Sequence, residues 1–352
     1  MENEKLIEYI ENSFLKDLLK EESITDISFN GENIYYKDNL KGRLKSDLAI
    51  TNDEAYSFIR QISNLTDSLF SYKDPILDVS VGKYRINATH YSISRKNREK
   101  TITFSIRIGF DQLRIKDDDG FIDKKAFELV LFALKSQNSI IISGKTGTGK
   151  TEFQKYILSK LDQLSRVITI DNINELETDY FCKNLDSLTW LSFNNGNSID
   201  MDTLIKNALR STPDWLIVGE VRGKEMLSLL NSAMSGHPTI TTLHSRSGEN
   251  TYNRMARMAM IGNNSLIYDE TLQDIYDHFK LIIHLKSYFD ETKKKYVRYV
   301  DSIGTNNKST YLELYKYPNK FTKLPLSLKE CFELSYEEYT KYNSEIKNEK
   351  TK

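Results

Sequence analysis

Cysteine is nearly absent: Cys182 and Cys331 are the only two among 352 residues. Two thiols cannot supply a four-cysteine zinc module, and they read as buried or incidental groups in a reducing compartment. Long apolar runs are missing too. Stretches such as 129–134 fall far short of the roughly 20 residues that span a bilayer, and the opening Met-Glu-Asn-Glu-Lys lacks the apolar core of a secretory signal. The expectation is a cytoplasmic protein with no direct membrane insertion, held at the inner face of the cell membrane through partners. Neither sign of charge dominates. The 49 Lys and Arg against 50 Asp and Glu give a net charge of -1, which leaves no global footprint for nucleic acid and only a local basic groove as an open route to it. The 39% hydrophobic content excludes a disordered or fibrous class and, at this length, allows two domains with proper cores.

What the chain does carry is Ser143-Gly-Lys-Thr-Gly-Thr-Gly-Lys-Thr151, which fits the phosphate-binding pattern G-x4-G-K-[ST] at every fixed position. A short apolar strand at 139–142 precedes it. A helix over 150–162 follows, with Phe153, Ile157, Leu158 and Leu161 on one face. Gly144, Gly147 and Gly149 permit backbone conformations and close approaches that a side chain forbids. The N–H groups of the loop, with Lys145, Thr146 and Thr148 between the glycines, can then point at phosphate oxygens. The helix starting at Lys150 adds its positive dipole end. Lys150 reaches the β- and γ-phosphates as a point charge, and the Thr151 hydroxyl completes the coordination of Mg²⁺. ATP and Mg²⁺ are therefore the expected cofactors.

Residues 1–110 alternate strand-like segments (24–30, 33–37, 84–91, 100–108) with a helix at 52–65, which predicts a small α+β domain. Residues 111–120, with Asp117, Asp118, Asp119 and Gly120 together, read as a linker. The second domain, 121–352, opens with a helix at 122–135. Strand-like runs at 167–171, 188–193, 216–219 and 239–243, with helical patterns between several of them, predict a parallel sheet covered by helices. Ligands in such sheets sit at the carboxyl ends of the strands. Three amphipathic strands follow, at 279–289, 296–303 and 311–317, with a lysine-rich turn at 293–295. The tail from Ser327 reads as one polar helix that frays after Ser344. There is no internal repeat.

Within Pro213-Asp-Trp-Leu-Ile-Val-Gly-Glu-Val-Arg-Gly223, Glu220 stands just past an apolar strand and Arg222 two residues later. A strand-end carboxylate is placed to orient an attacking water or to bind a metal's water shell.

Four blocks now stand in order: the glycine loop, Thr169-Ile-Asp-Asn-Ile-Asn-Glu-Leu176, Val218-Gly-Glu-Val-Arg222, and Ser235-Gly-His-Pro-Thr-Ile-Thr-Thr-Leu-His244. This order resembles the secretion ATPase superfamily, the traffic ATPases of type II secretion, type IV secretion and type IV pilus systems. Thr25-Asp-Ile-Ser-Phe-Asn-Gly31, Tyr84-Arg-Ile-Asn-Ala88 and Phe104-Ser-Ile-Arg107 extend the likeness over roughly 20–305. The resemblance implies a RecA-like P-loop NTPase domain with a parallel-core sheet behind a smaller α+β domain. It also implies Mg²⁺-dependent ATP hydrolysis by a homohexamer that works with inner-membrane secretion or pilus proteins.

Carried residue by residue, the resemblance makes Glu220 essential for hydrolysis and, with Thr151, a metal residue. Asp171 and Glu175 would assist metal and water, although Asn172 stands where the family usually has a second adjacent acid. His237 and His244 would approach the γ-phosphate as sensors. Arg85 and Arg107 would close over the nucleotide from the N-terminal domain of the same or a neighbouring subunit. Arg210 and Arg222 match family arginines, whereas Thr212 and Trp215 stand where many members carry further arginines. The short chain without a zinc module resembles the VirB-type ATPases of type IV secretion and conjugation. The spacing of His237 and His244 is nearer the pilus motors. A RecA-like DNA translocase and an ATP-dependent assembly switch with little turnover are the rival classes. The first is opposed by the neutral charge balance, the second by Glu220.

Overall fold

The computed structural model describes residues 2–110, 112–117, 120–192, 198–307 and 310–346. Asp111, Asp118 and Asp119 of the expected linker, Phe193 at the end of an expected strand, and the chain beyond 346 lie outside the described residues. Two compact units emerge. The first holds Met1–Gln112 and Tyr288–Val297, the second Leu113–Ser287 and Arg298–Lys352.

The first unit begins with helices α1 (Glu2–Glu11) and α2 (Lys16–Leu19) and strands β1 (Ile24–Phe29), β2 (Ile34–Asp38) and β3 (Gly42–Lys45). Helix α3 (Asn52–Leu65) is followed by β4 (Ile76–Val81), β5 (Tyr84–Thr89), the ribbon β6 (Arg95–Lys96) and β7 (Glu99–Lys100), and β8 (Thr103–Ile108). Six of these strands form an antiparallel sheet in the order β3-β2-β1-β8-β5-β4. Alternation of side chains sends Ile27, Phe29, Ile86, Phe104 and Ile106 into the core, where Phe58, Ile59 and Ile62 of α3 meet them. The start of α3 is fixed by a capping box: Thr51 Oγ1 accepts from the Glu54 N–H while the Glu54 carboxylate accepts from the Thr51 N–H. The other sheet face carries Asp26, Arg107 and Arg85 as successive cross-strand neighbours.

The second unit runs α4 (Lys124–Lys135), β9 (Ile140–Gly144), α5 (Lys150–Leu158), β10 (Arg166–Asp171), α6 (Thr178–Phe181) and β11 (Asp186–Leu191). It continues through α7 (Met201–Ala208), β12 (Trp215–Val218), α8 (Glu225–Met234), β13 (Thr239–Leu243), α9 (Gly248–Gly262) and α10 (Tyr268–His278). The last elements are β14 (Leu281–Asp290) and β15 (Lys295–Asn307), whose facing ends within Tyr288–Val297 count with the first unit, then β16 (Thr310–Lys316), β17 (Lys320–Phe321), α11 (Leu326–Cys331) and α12 (Tyr336–Glu345).

These nine strands form one sheet in the order β11-β10-β12-β13-β9-β14-β15-β16-β17. Neighbours from β11 to β14 are parallel, while β15, β16 and β17 pair antiparallel. The sheet is therefore mixed, with a parallel part and an antiparallel extension. The strands β9, β12 and β13 are buried at every residue, as expected where helices cover both faces. Ile140, Ile142, Ile217 and Ile240 pack with α4 and α5. Ile141, Ile168, Leu216 and Val218 pack in a separate cluster with α7, α8 and α9.

The tail differs from the single polar helix expected. Ser335 and Glu338 form a capping box that opens a separate helix, α12. Leu328, Phe332, Leu334, Tyr342 and Ile346 are buried in the core against α4, and their apolar area stabilises the tail through Ile346. Among the described residues no helix is long and apolar enough to cross a membrane.

Candidate functional site

Because β10, β12, β13 and β9 are parallel neighbours, their carboxyl ends share one edge of the sheet. The chain places Gly144 at the end of β9, Asp171 at the end of β10, Glu220 two residues past β12 and His244 one residue past β13. Four separate sequence blocks thus deliver polar groups to one edge.

The glycine loop joins β9 to α5. Gly147 and Gly149 have φ of 80° and 92°, a left-handed conformation that costs glycine little. Gly144 is needed for a different reason. A Cβ there would stand 2.8 Å from the Leu285 carbonyl oxygen and 2.7 Å from Thr148 Oγ1. Thr148 Oγ1 donates to the Lys145 carbonyl at 2.8 Å, which closes the loop. Lys145 and Thr146 form its exposed rim, Thr148 and Lys150 are buried, and Thr151 is half-buried. Lys150 Nζ lies 3.4 Å from the Gly144 and Lys145 carbonyl oxygens and from His244 Nδ1. Burial lowers the Lys150 pKa, and the charges of Glu220 and Glu175 partly restore it.

Glu220 is the centre of the charged cluster. Arg222 Nη2 donates to its Oε2 at 2.7 Å, and His244 Nε2 stands 2.8 Å from its Oε1. The histidine contact is an ion-pair distance without hydrogen-bond alignment, so Oε1 is a buried oxygen with no hydrogen-bond donor among the described residues. Burial alone would raise the Glu220 pKa. The Arg222 hydrogen bond and the charges of Arg222 and Lys150 outweigh it and hold the carboxyl below its ordinary value. Burial and the Lys150 charge lower the pKa of His244, which favours the neutral ring that can accept from Lys150 at Nδ1.

Asp171 is buried and turned onto its own chain. Its carboxylate accepts from the N–H groups of Asn172 at 2.8 Å and Glu175 at 3.2 Å, so it shapes the turn that carries Glu175. Burial, with the Glu175 charge adding, raises it to about 6 against the backbone donors. Gly219 makes room for it, since a Cβ there would stand 2.7 Å from Asp171 Oδ1. The charges of both Glu175 and Asp171 act on Arg222.

The structure brings Lys150, Glu220, His244 and Arg222 into contact, with Asp171 and Glu175 acting on them electrostatically. It does not bring His237 there, which corrects the expectation of two histidines at one phosphate. His237 is bonded to Ser235 at 3.2 Å before β13 begins, and His244 follows its end. The five-residue strand β13, rising about 3.3 Å per residue, lies between them. Arg210 lies before β12, at its amino end, and is exposed. Arg85 and Arg107 belong to the first unit, where they pair with Asp78 and Asp26 at 3.3 Å.

Sequence reading missed Gln154 and His284. Buried Gln154 donates from Nε2 to the Val218 and Ile240 carbonyls at 3.1 and 3.2 Å, pinning α5 to β12 and β13. His284 Nδ1 meets Ser143 Oγ at 2.9 Å behind the loop, and burial lowers its pKa to about 4. Neither had a motif; only a glutamine on the apolar face of α5 hinted at the first.

Residues 106–302 match the family model described as type II/IV secretion system protein. An uncharacterized protein of Bacillus anthracis is 30% identical over 369 residues, covering 96% of this chain and 80% of that protein. The type IV secretion system protein VirB11 of Bartonella quintana is 33% identical over 125 residues, 35% of this chain and 35% of its own length. The type IV pilus assembly ATPase PilB of Pseudomonas aeruginosa is 31% identical over 159 residues, 44% of this chain and 26% of its own. This chain thus spans well under half of either named relative. The X-ray structure of the Yersinia pseudotuberculosis ATPase DotB superposes with a TM-score of 0.63 at 17% identity, over 96% of this chain and 84% of that one, a likeness of fold. The family match spans more than half the chain, and the chain belongs to the type II/IV secretion family, the traffic ATPase superfamily.

Proposed function

We propose that the chain is a Mg²⁺-dependent ATPase that works as a homohexamer and energises a type IV secretion or conjugation machine. Its RecA-like P-loop domain, 121–352, would follow the domain 1–110 and the linker 111–120. The observation that carries this reading is the glycine loop with Lys150, Glu220, His244 and Arg222 converging on it.

Lys150 and the loop amides hold the β- and γ-phosphates. Glu220, kept ionised by its cationic neighbours, orients the attacking water through the Oε1 that has no hydrogen-bond donor among the described residues, and ATP and water give ADP and phosphate. Mg²⁺, held by Thr151, Glu220 and the nucleotide's own phosphates, would neutralise charge developing on the transferring group. Asp171 holds the turn that presents Glu175. His244 senses the γ-phosphate by exchanging its contacts with Lys150 and Glu220. Arg85 and Arg107 leave their exposed acid partners to meet the nucleotide of their own or a neighbouring subunit. His237 has no part in this site. The ring acts at the inner face of the cell membrane through partner proteins.

A pilus assembly or retraction motor is the second reading, supported by the PilB match over 159 residues. Co-purification from native membranes separates the two by the neighbours recovered. Sedimentation velocity with ATP and Mg²⁺ should show a sixfold mass; a monomer at every concentration sinks the ring.

A further inference from the structure

Strand β15 lays Arg298 against the glycine loop. Its Nε donates to the Gly147 carbonyl oxygen at 2.8 Å, and its Cδ lies 3.6 Å from where a Cβ on Gly149 would stand. Arg114 stands near enough for its charge and that of Arg298 to repel: burial pulls Arg114 down to about 10, the Glu152 charge opposes that fall, and the Arg298 charge adds to it.

In a planar trans peptide the carbonyl and the following N–H point in opposite directions. A donor that holds the Gly147 carbonyl on one side therefore fixes the Thr148 N–H on the other. That peptide is the loop's weak point, because Gly147 is left-handed and its backbone torsions are little restrained. A flipped peptide would turn an oxygen toward the phosphates in place of a donor. We propose that Arg298 is a positioning residue of the nucleotide site, which locks the Gly147–Thr148 peptide with its N–H available to phosphate. The proposal rests on the ATP reading above.

The geometry distinguishes this role from a general effect of positive charge. In glutamine the side-chain nitrogen occupies the place of arginine Nε; in lysine a methylene does, although the charge is kept. Titration calorimetry with ADP should show Arg298→Lys weakening binding about tenfold, the loss expected for one charge-assisted hydrogen bond. Arg298→Gln should stay within about threefold of the parent, and the thermal midpoints of the three nucleotide-free proteins should agree. Binding by Arg298→Lys equal to the parent, or an equal loss in both variants, overturns the proposal. Failure of the unaltered protein to bind ADP would instead remove the ATP reading on which it rests.

Discussion

On the sheet of the first unit, Arg85 and Arg107 pair with Asp78 and Asp26 at 3.3 Å, in positions open to solvent. At the strand ends of the second unit, Glu220 meets Arg222 and His244 at 2.7 and 2.8 Å, Lys150 is buried, and Asp171 is raised to about 6. The same residue types serve two purposes. Exposed pairs contribute about 0–1 kcal/mol each and exchange partners easily. Clustered, partly buried charges shift one another's protonation and hold one geometry, as a site must before its substrate arrives. The proposed function has Arg85 and Arg107 move, and they sit in the first arrangement; the groups it keeps in place sit in the second.

The close approach of β10 and β12 gives the largest test of this contrast. Gly219→Ala places a Cβ 2.7 Å from Asp171 Oδ1, and urea unfolding should show a loss of about 2–3 kcal/mol. A loss below about 0.5 kcal/mol would mean that the strand ends are not held tightly.

Asp171 gives the next effect, with the opposite sign. Its folded pKa of about 6 lies above the ordinary 3.8, so the folded state keeps its proton longer than the unfolded chain. Stability from this group is present at low pH and is lost as pH rises through about 6. Asp171→Asn, a neutral side chain whose single oxygen keeps the Asn172 N–H bond but not also that of Glu175, should stabilise the protein by about 1 kcal/mol at pH 7.5. The gain should shrink toward pH 4. A gain independent of pH would contradict the buried-carboxylate account.

Arg85→Ala and Arg107→Ala should each alter stability by less than about 1 kcal/mol in the same unfolding experiment. A loss of several kcal/mol would show that these pairs are structural, and the contrast between the units would fail.

Much of this was legible in the chain. Helix α3 occupies 52–65 as its pattern predicted, because Thr51 and Glu54 fix its start and its apolar spacing matches the core face. The positions of the loop, Glu220 and His244 at strand ends were readable because each lies within a few residues of a buried apolar strand. The tail was misread because its mean polarity hid Phe332 and Tyr342, although the Ser335 to Glu338 spacing is itself a helix-start signal. His237 was misplaced because a box of residues was treated as a point, whereas an extended strand carries its two ends apart. Arg298 could not be found at all. It meets Gly147 across 151 positions, and only the sheet order that sets β15 near β9 brings them together.

The central claim is that Glu220 performs chemistry at a loop that binds ATP, and steady-state phosphate release by Glu220→Gln, run beside ATP titration, tests it most directly. Turnover should fall by at least about a hundredfold while ATP still binds; turnover equal to the parent protein, or ATP binding lost together with it, would contradict the assignment.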